Sequence, residues 1–451
     1  MGTVTLLADP ARAWSPYVPS ASQPWDLGRV AHLHRRAGFA APWAVLQRDL
    51  REGPEAAIER LLDGEPNTAD GRPAAELNPL LDEMAWQLAP GASLTQLQAV
   101  WLYRMIFTAH PLRERMTLFW HNHFATSQNK VQNTALMQRQ NDLLRTHALG
   151  DFKTLLAAIG KDPAMLIWLD STANRKAKPN ENYAREVMEL FTLGRGHYTE
   201  KDIQEAARAF TGWFLVRDSF SEIAAQHDDG PKTVLGRTGR FGGDDIPPIL
   251  LAQPACAEFL CAKLVRYFIT EVDTIPAGFV SPLAGVFRGS GYDVRTVVKT
   301  ILRSSIFHDA EVRRHRVKSP VEFTIGTIRA LEVLKPTVAA SPLADACAQM
   351  GMSLYAPPSV AGWDAGPAWA NSATMLSRAN FALGLVRDDE RFNAKALADR
   401  HNFKDPKDAS RFFVDLLVQE AFDRKVRDKV SAAPFAEVPS LILTAPEYQL
   451  S

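Results

Sequence analysis

Cysteine is scarce: Cys256, Cys261 and Cys347 are the whole supply in 451 residues. Five positions apart on a helix, the first two point about 140° away from each other, so they cannot readily bridge. With no Cys-x-x-Cys pair either, a disulfide framework and a c-type haem attachment are excluded, and the three read as small buried hydrophobes. This usage suits a reducing compartment without demanding one. Long apolar runs are missing as well. No window reaches the roughly 18 residues a membrane helix needs, and Met1 to Ser20 lacks a basic region followed by an apolar stretch. The expectation is a soluble, cytoplasmic protein, periplasmic or secreted if a leader has been removed. Charge of one sign is absent too: 51 basic residues face 51 acidic ones, so no whole-molecule field draws the chain to nucleic acid or anionic lipid. There is no Gly-x-Ser-x-Gly elbow, P-loop, His-Glu-x-x-His or dinucleotide fingerprint, which counts against serine esterase, NTPase, zincin and Rossmann chemistry.

What is present is helical periodicity over most of the length. Residues 1–24 hold four prolines and read as an extended arm. Residues 25–80 form an N-terminal helical subdomain, with the Gly-, Pro- and Asn-rich stretch 64–79 as a linker. Residues 81–350 make a central helical domain. Within it Ser93 and Thr199 are N-cap candidates, the latter with Asp202 in a variant capping box. Between 213 and 243 the helical period vanishes, and Phe214-Leu215-Val216, Thr233-Val234-Leu235 and five glycines predict a small β-hairpin or flap. Residues 351–451 form a loop and a C-terminal helical part packed on the central domain, with a last long helix over about 408–429. The fold class is mainly α, a multi-helical globular fold with one small β insert.

Four constellations carry possible chemistry. His121-Asn122-His123 sits at a helix end, where two imidazoles in irregular backbone reach one ion; in a regular helix they diverge by about 200° and cannot. The competing reading is a helix C-terminus stabilised by histidine. The helix Glu181–Phe191 gathers Glu181, Asn182, Arg185, Glu186 and Glu189 on one arc of about 140°, able to hold a divalent cation or to divide acid and base roles, or simply to form i, i+4 ion pairs in water. His227-Asp228 and Lys232 lie in the flap, where loop side chains can be aimed at a site or can merely make a turn. Trp363 and Asn371 offer a sugar- or peptide-binding wall, or a core anchor. Arg313, Arg314, Arg316 and Lys318 lack interleaved aromatics and read as a solvated helix junction.

Several phrases carry a family resemblance: His32-Leu33-His34-Arg35-Arg36-Ala37-Gly38-Phe39, Trp120-His121-Asn122-His123-Phe124, Asn180 to Leu190, Ala209-Phe210-Thr211-Gly212-Trp213, His227-Asp228 with Lys232 to Gly236, and Pro357 to Trp363. Over nearly the full length the chain resembles the bacterial family of uncharacterised proteins known as domain of unknown function 1800. The resemblance implies no reaction. It does imply a protein often exported and often encoded beside a sulfatase-like partner, and it marks Phe191 as a departure, since many relatives carry His there.

The combined expectation is a polar centre assembled from the helix end, the acid helix and the flap. In the leading reading a metal-assisted hydrolase or related enzyme holds a divalent ion on His121, His123 and Glu186 or Glu189. His227 or Asp228 is then the base, Arg185 or Lys232 steadies an anionic intermediate, and Asn180, Asn182, Trp363 and Asn371 bind substrate. The alternative is a non-catalytic binding or assembly module partnering a sulfatase-like protein, in which the same residues form a structural network.

Overall fold

Short polar side chains start the helices. Asp26, Ser93, Asn133, Asp151, Asp162, Asn180, Asp293, Ser319 and Asn371 each accept an N–H from the first turn that follows, a group that would otherwise be orphaned. Thr199 and Asp202 close the expected capping box reciprocally, as do Ser93 and Gln96. The computed structural model describes residues 4–87, 93–272, 274–334, 340–388, 390–419 and 423–451. Among them are 24 α-helices and four short strands, so the fold is mainly α with a small β insert.

That insert is two hairpins. Strands β1 (Trp213–Val216) and β2 (Ser219–Glu222) pair antiparallel, and so do β3 (Lys232–Val234) and β4 (Arg237–Gly239). Each is closed by two residues of positive φ, Arg217 and Asp218 in the first, Leu235 and Gly236 in the second, the backbone a tight right-twisted hairpin requires. All three cysteines are free and buried. No described helix is long and apolar enough by itself to cross a membrane.

Elsewhere the structure departs from expectation. The N-terminal arm is not extended: it forms helical turns at Thr5–Ala8 and Pro10–Ala13, and Val4, Leu7 and Ala13 enter the core. The stretch read as a linker contains the start of a helix, Ala74–Gln87. The long terminal helix is two, Pro406–Leu417 and Arg424–Ala432, and positions 420–422 of that reading lie outside the described residues.

Two hydrophobic cores interleave through the chain instead of following a division into consecutive subdomains. The first is built largely from 144–312, the second from 94–107 and the helices after 317. The helix Leu27–Ala37 lies between them, sending Leu33 and Ala37 into one and Val30 and Ala31 into the other. Being covered all round, it also buries Arg29, His32, His34, Arg35 and Arg36, and buried polar groups need partners. Arg29 donates to the carbonyls of Pro24 and His308, Arg36 to that of Val312. A second buried belt joins Arg115, Glu322, Arg316 and Glu271, with Arg115 4.7 Å from the Tyr267 ring centroid.

Candidate functional site

The helix Pro111–His123 stays regular to its last residue, so its two terminal imidazoles face different cores. The buried His121 ring packs against Trp101, Tyr355 and Trp363 at centroid distances of 5.1, 5.2 and 5.5 Å. Its Nε2 accepts the Tyr355 N–H at 3.0 Å, and burial pushes its pKa down to about 3, keeping the ring neutral. Asn122 Oδ1 accepts the Trp363 N–H at 2.8 Å. Gly362, at φ +88, lies where a Cβ would fall 2.2 Å from that same oxygen. The side chains of the helix end thus hold the segment Tyr355–Trp363 by its backbone N–H groups.

His123 turns the other way. Its Nε2 donates to the Phe191 carbonyl at 3.1 Å, and its Nδ1 accepts from Lys263 Nζ at 3.1 Å. Lys263 also donates to the Leu190 carbonyl at 3.1 Å. Burial, followed by the Arg266 charge, pushes the Lys263 pKa down to about 8, while burial and Lys263 itself keep His123 neutral. Phe191 lies with its ring centroid 6.0 Å from that of His123.

Within the acid helix, Asn180 caps the Asn182 N–H at 2.9 Å and donates to the Leu169 and Asp170 carbonyls. Asn182 reaches Asp170 Oδ2 at 3.2 Å. Arg185 pairs with Glu181 at 3.5 Å and, as a fork, with both oxygens of Glu200 at 2.8 and 2.7 Å. Glu189 accepts from Arg195 and from the Tyr198 hydroxyl, both at 2.6 Å. Glu186 differs: it is half-buried, forms no ion pair with a described residue, and its pKa is raised by burial and then by Glu189.

In the flap, His227 Nδ1 donates to the Thr211 carbonyl at 2.7 Å. Arg208 forks onto Asp228 at 2.7 and 3.2 Å and holds its carboxyl down at about 2. Lys232 is buried, its ammonium donating to the Asp228 and Gly230 carbonyls. Asn174 ties the flap to the start of the acid helix: its Oδ1 accepts the Asn180 N–H, its carbonyl accepts the Gly212 N–H, and its own N–H goes to Trp213.

The structure therefore brings Asn180 and Asn182 toward the flap, but His123 meets the opposite end of the same helix. Nine residues at 1.5 Å each set those ends about 13 Å apart. His121 faces a third environment. Among the described residues no three His, Cys, Asp or Glu side chains are grouped to hold a metal ion. The expected quartet of His121, His123, Glu186 and Glu189 is not assembled: the regular helix splays the imidazoles, and Arg195 and Tyr198 engage Glu189. Asn371 caps the helix Ser372–Val386 and Trp363 is buried beside His121, which favours the core-anchor reading of Trp363 over the binding wall.

One polar assembly escaped the sequence reading and another was misread by it. One borders a cavity of about 270 Å³ lined by His34, Arg48, Asp49, Arg60, Glu65 and Arg329, among others. The Asp49 carboxylate accepts from His34 Nε2 at 2.8 Å, Arg48 at 2.8 Å and Arg60 at 2.7 Å. Burial opposes its charge, yet these donors hold its pKa well below the usual carboxylate range. The polar phrase around His34 was the available signal, but its partner is 15 positions on, inside a helix that reads as ordinary. The other is the cluster at 313–318, which is not a solvated junction: Arg316 and Lys318 are buried and Arg313 and Arg314 half-buried.

No curated protein and no solved structure matches the chain. The family model for proteins of unknown function, DUF1800, matches residues 32–450, a span that takes in most of both interleaved cores and the constellations around His121, the acid helix and the flap. The chain belongs to that family.

Proposed function

We propose that the chain is a non-catalytic binding or assembly module, and that the polar residues of its family-bearing phrases serve to fasten distant segments to one another. One observation carries this reading: nearly every polar group expected at a reactive centre is engaged by another segment of the chain. Tyr355 holds His121, Phe191 and Lys263 hold His123, Thr211 holds His227, and Arg208 holds Asp228. A satisfied buried network of this kind rigidifies and specifies a fold. The partner class that goes with the proposal is a sulfatase-like protein, on the strength of the family resemblance alone.

A second reading, the metal-assisted hydrolase, draws support from Glu186, whose raised pKa and lack of an ion pair among the described residues are what a proton donor requires. Metal analysis of the purified chain separates the two, alongside His121→Ala and Glu186→Ala. The module reading expects no equimolar ion, a lowered melting temperature for His121→Ala and little change for Glu186→Ala. An equimolar ion lost from either variant, with the fold intact, would overturn it.

A further inference from the structure

One cavity, of about 540 Å³, is lined by four guanidinium groups, those of Arg35, Arg313, Arg314 and Arg411, against two carboxylates, Asp26 and Asp415. Both carboxylates stand beside other arginines. Asp26 pairs with Arg29 at 3.0 Å and stands 3.7 Å from Arg313, while Asp415 stands 3.8 Å from the exposed Arg411. The inner pair, Arg35 and Arg314, forms no ion pair with any described residue. Both donate instead to one neutral acceptor, Gln419 Oε1, at 2.7 and 3.4 Å, and Arg314 adds the Glu447 carbonyl at 3.3 Å.

Two positive groups meeting on one amide oxygen repel each other, and their surroundings add to the strain. Arg35 is only 8% exposed, and among the described residues its Nε has no hydrogen-bond partner; the buried Nε of Arg313 has none among them either. Behind them Lys318 faces the Tyr448 ring at 3.4 Å, and Arg378 donates to Gln449 and to the Lys318 carbonyl. Neutral oxygens and a ring thus hold Arg35, Arg314, Lys318 and Arg378 where carboxylates would ordinarily do so. Burial depresses Arg35, with Arg314 and Arg313 adding to the effect, and burial pushes Arg314 down to about 10, with Glu447 opposing. Arg314 and Gln419 both adopt positive φ, +61 and +44, backbone that costs energy for residues with a Cβ. Planar guanidiniums with unused N–H groups are the natural grip for a tetrahedral oxyanion.

We propose that this cavity is a binding site for a phosphate or sulfate group, held by Arg35, Arg313 and Arg314. The proposal names a ligand class for the module described above, and it stands on binding alone, so metal content and turnover do not bear on it. The test is calorimetric titration of the full chain with inorganic phosphate, inorganic sulfate and phosphoserine, at an ionic strength fixed with sodium chloride. At least one should bind saturably at a single site. Tighter binding of phosphoserine than of inorganic phosphate would identify the ligand as an esterified group, the reverse a free ion. Arg314→Gln and Arg313→Gln should each weaken binding at least tenfold with an unchanged far-ultraviolet circular dichroism spectrum, while Arg237→Gln on the distant flap should bind as the parent does. Arg35→Lys, which keeps the charge but loses the fork, should fall between. No saturable binding of any of the three, or equal affinity in Arg314→Gln and the parent chain, would overturn the proposal.

Discussion

Asp162 shows how a single buried group sets a measurable balance. Its Oδ2 accepts the Met165 N–H at 2.9 Å and Gln140 Nε2 at 2.7 Å, capping the helix Pro163–Trp168. Burial nevertheless pushes its carboxyl up to about 6. The folded chain therefore holds this proton more tightly than the unfolded chain, whose Asp titrates near about 3.9. The group's contribution is favourable below that value and is lost as pH rises through about 6. Asparagine caps as well as aspartate and carries no charge. Asp162→Asn should accordingly be more stable than the parent at pH 8, by about 2–3 kcal/mol on the linkage relation, with the advantage disappearing below about pH 4. Thermal melts at the two pH values check it, and a variant less stable than the parent at pH 8 would contradict it. The same balance of burial against hydrogen bonding separates Glu186 from Glu189: two neighbouring acids on one helix are shifted in opposite directions because burial dominates at Glu186, while Glu189 accepts hydrogen bonds from Arg195 and Tyr198.

Among the elements, the Pro357–Trp363 loop depends on close approach to the end of the Pro111–His123 helix. A Cβ at Gly362 would meet Asn122 Oδ1 at 2.2 Å and the Asn122 carbonyl at 2.6 Å, and the φ of +88 is itself unfavourable to alanine. Gly362→Ala should cost about 2–3 kcal/mol, read as a lower urea midpoint, with the flap hairpins unaffected. What the sequence disclosed at this scale was local. The Ser93 and Thr199 caps involve partners three residues away, and the loss of helical period between 213 and 243 is intrinsic to those residues. The helix Ala74–Gln87 was hidden by Pro79 in its interior, which ordinarily breaks a helix; burial of Leu77 and Leu81 in the second core offsets that cost. The arginine-rich turn at 313–316 read as solvated because the neutral acceptors of Arg314, Gln419 Oε1 and the Glu447 carbonyl, lie more than a hundred positions along the chain, beyond any local pattern. The candidate site was legible in residue type and illegible in arrangement: the phrases are real, but the directions of their side chains depend on which core each helix face meets.

For the molecule as a whole, the buried histidines dominate the response to acid. His32, His110, His121, His123 and His308 all have lowered pKa values, burial being the largest cause for each, with His110 near about 4 and His121 and His308 near about 3. Unfolded histidine titrates near about 6.5, so below that pH the unfolded chain binds more protons than the folded one. Stability from these groups is complete above about 6.5 and is lost as pH falls toward 3 or 4, each group contributing up to about 1.4 kcal/mol per pH unit. Glu322, held down at about 2 chiefly by Arg115 and Arg316 against the opposing effect of burial, extends the loss to lower pH. The melting temperature should therefore fall steeply between pH 6.5 and 4.5, before most carboxylates titrate; a flat profile over that interval would contradict the burial of these rings.

The claim on which the rest depends is that the family-bearing polar residues fasten separate pairs of segments and do not share one cavity. Hydrogen–deuterium exchange of the parent chain and His121→Ala tests it most directly, because the Tyr355 N–H bonded to His121 Nε2 is itself an exchanging group. Faster exchange confined to residues 353–363, with the flap around His227 to Leu235 unchanged, is the predicted result. Exchange that rises in the flap together with the loop would contradict the claim and restore a single shared centre.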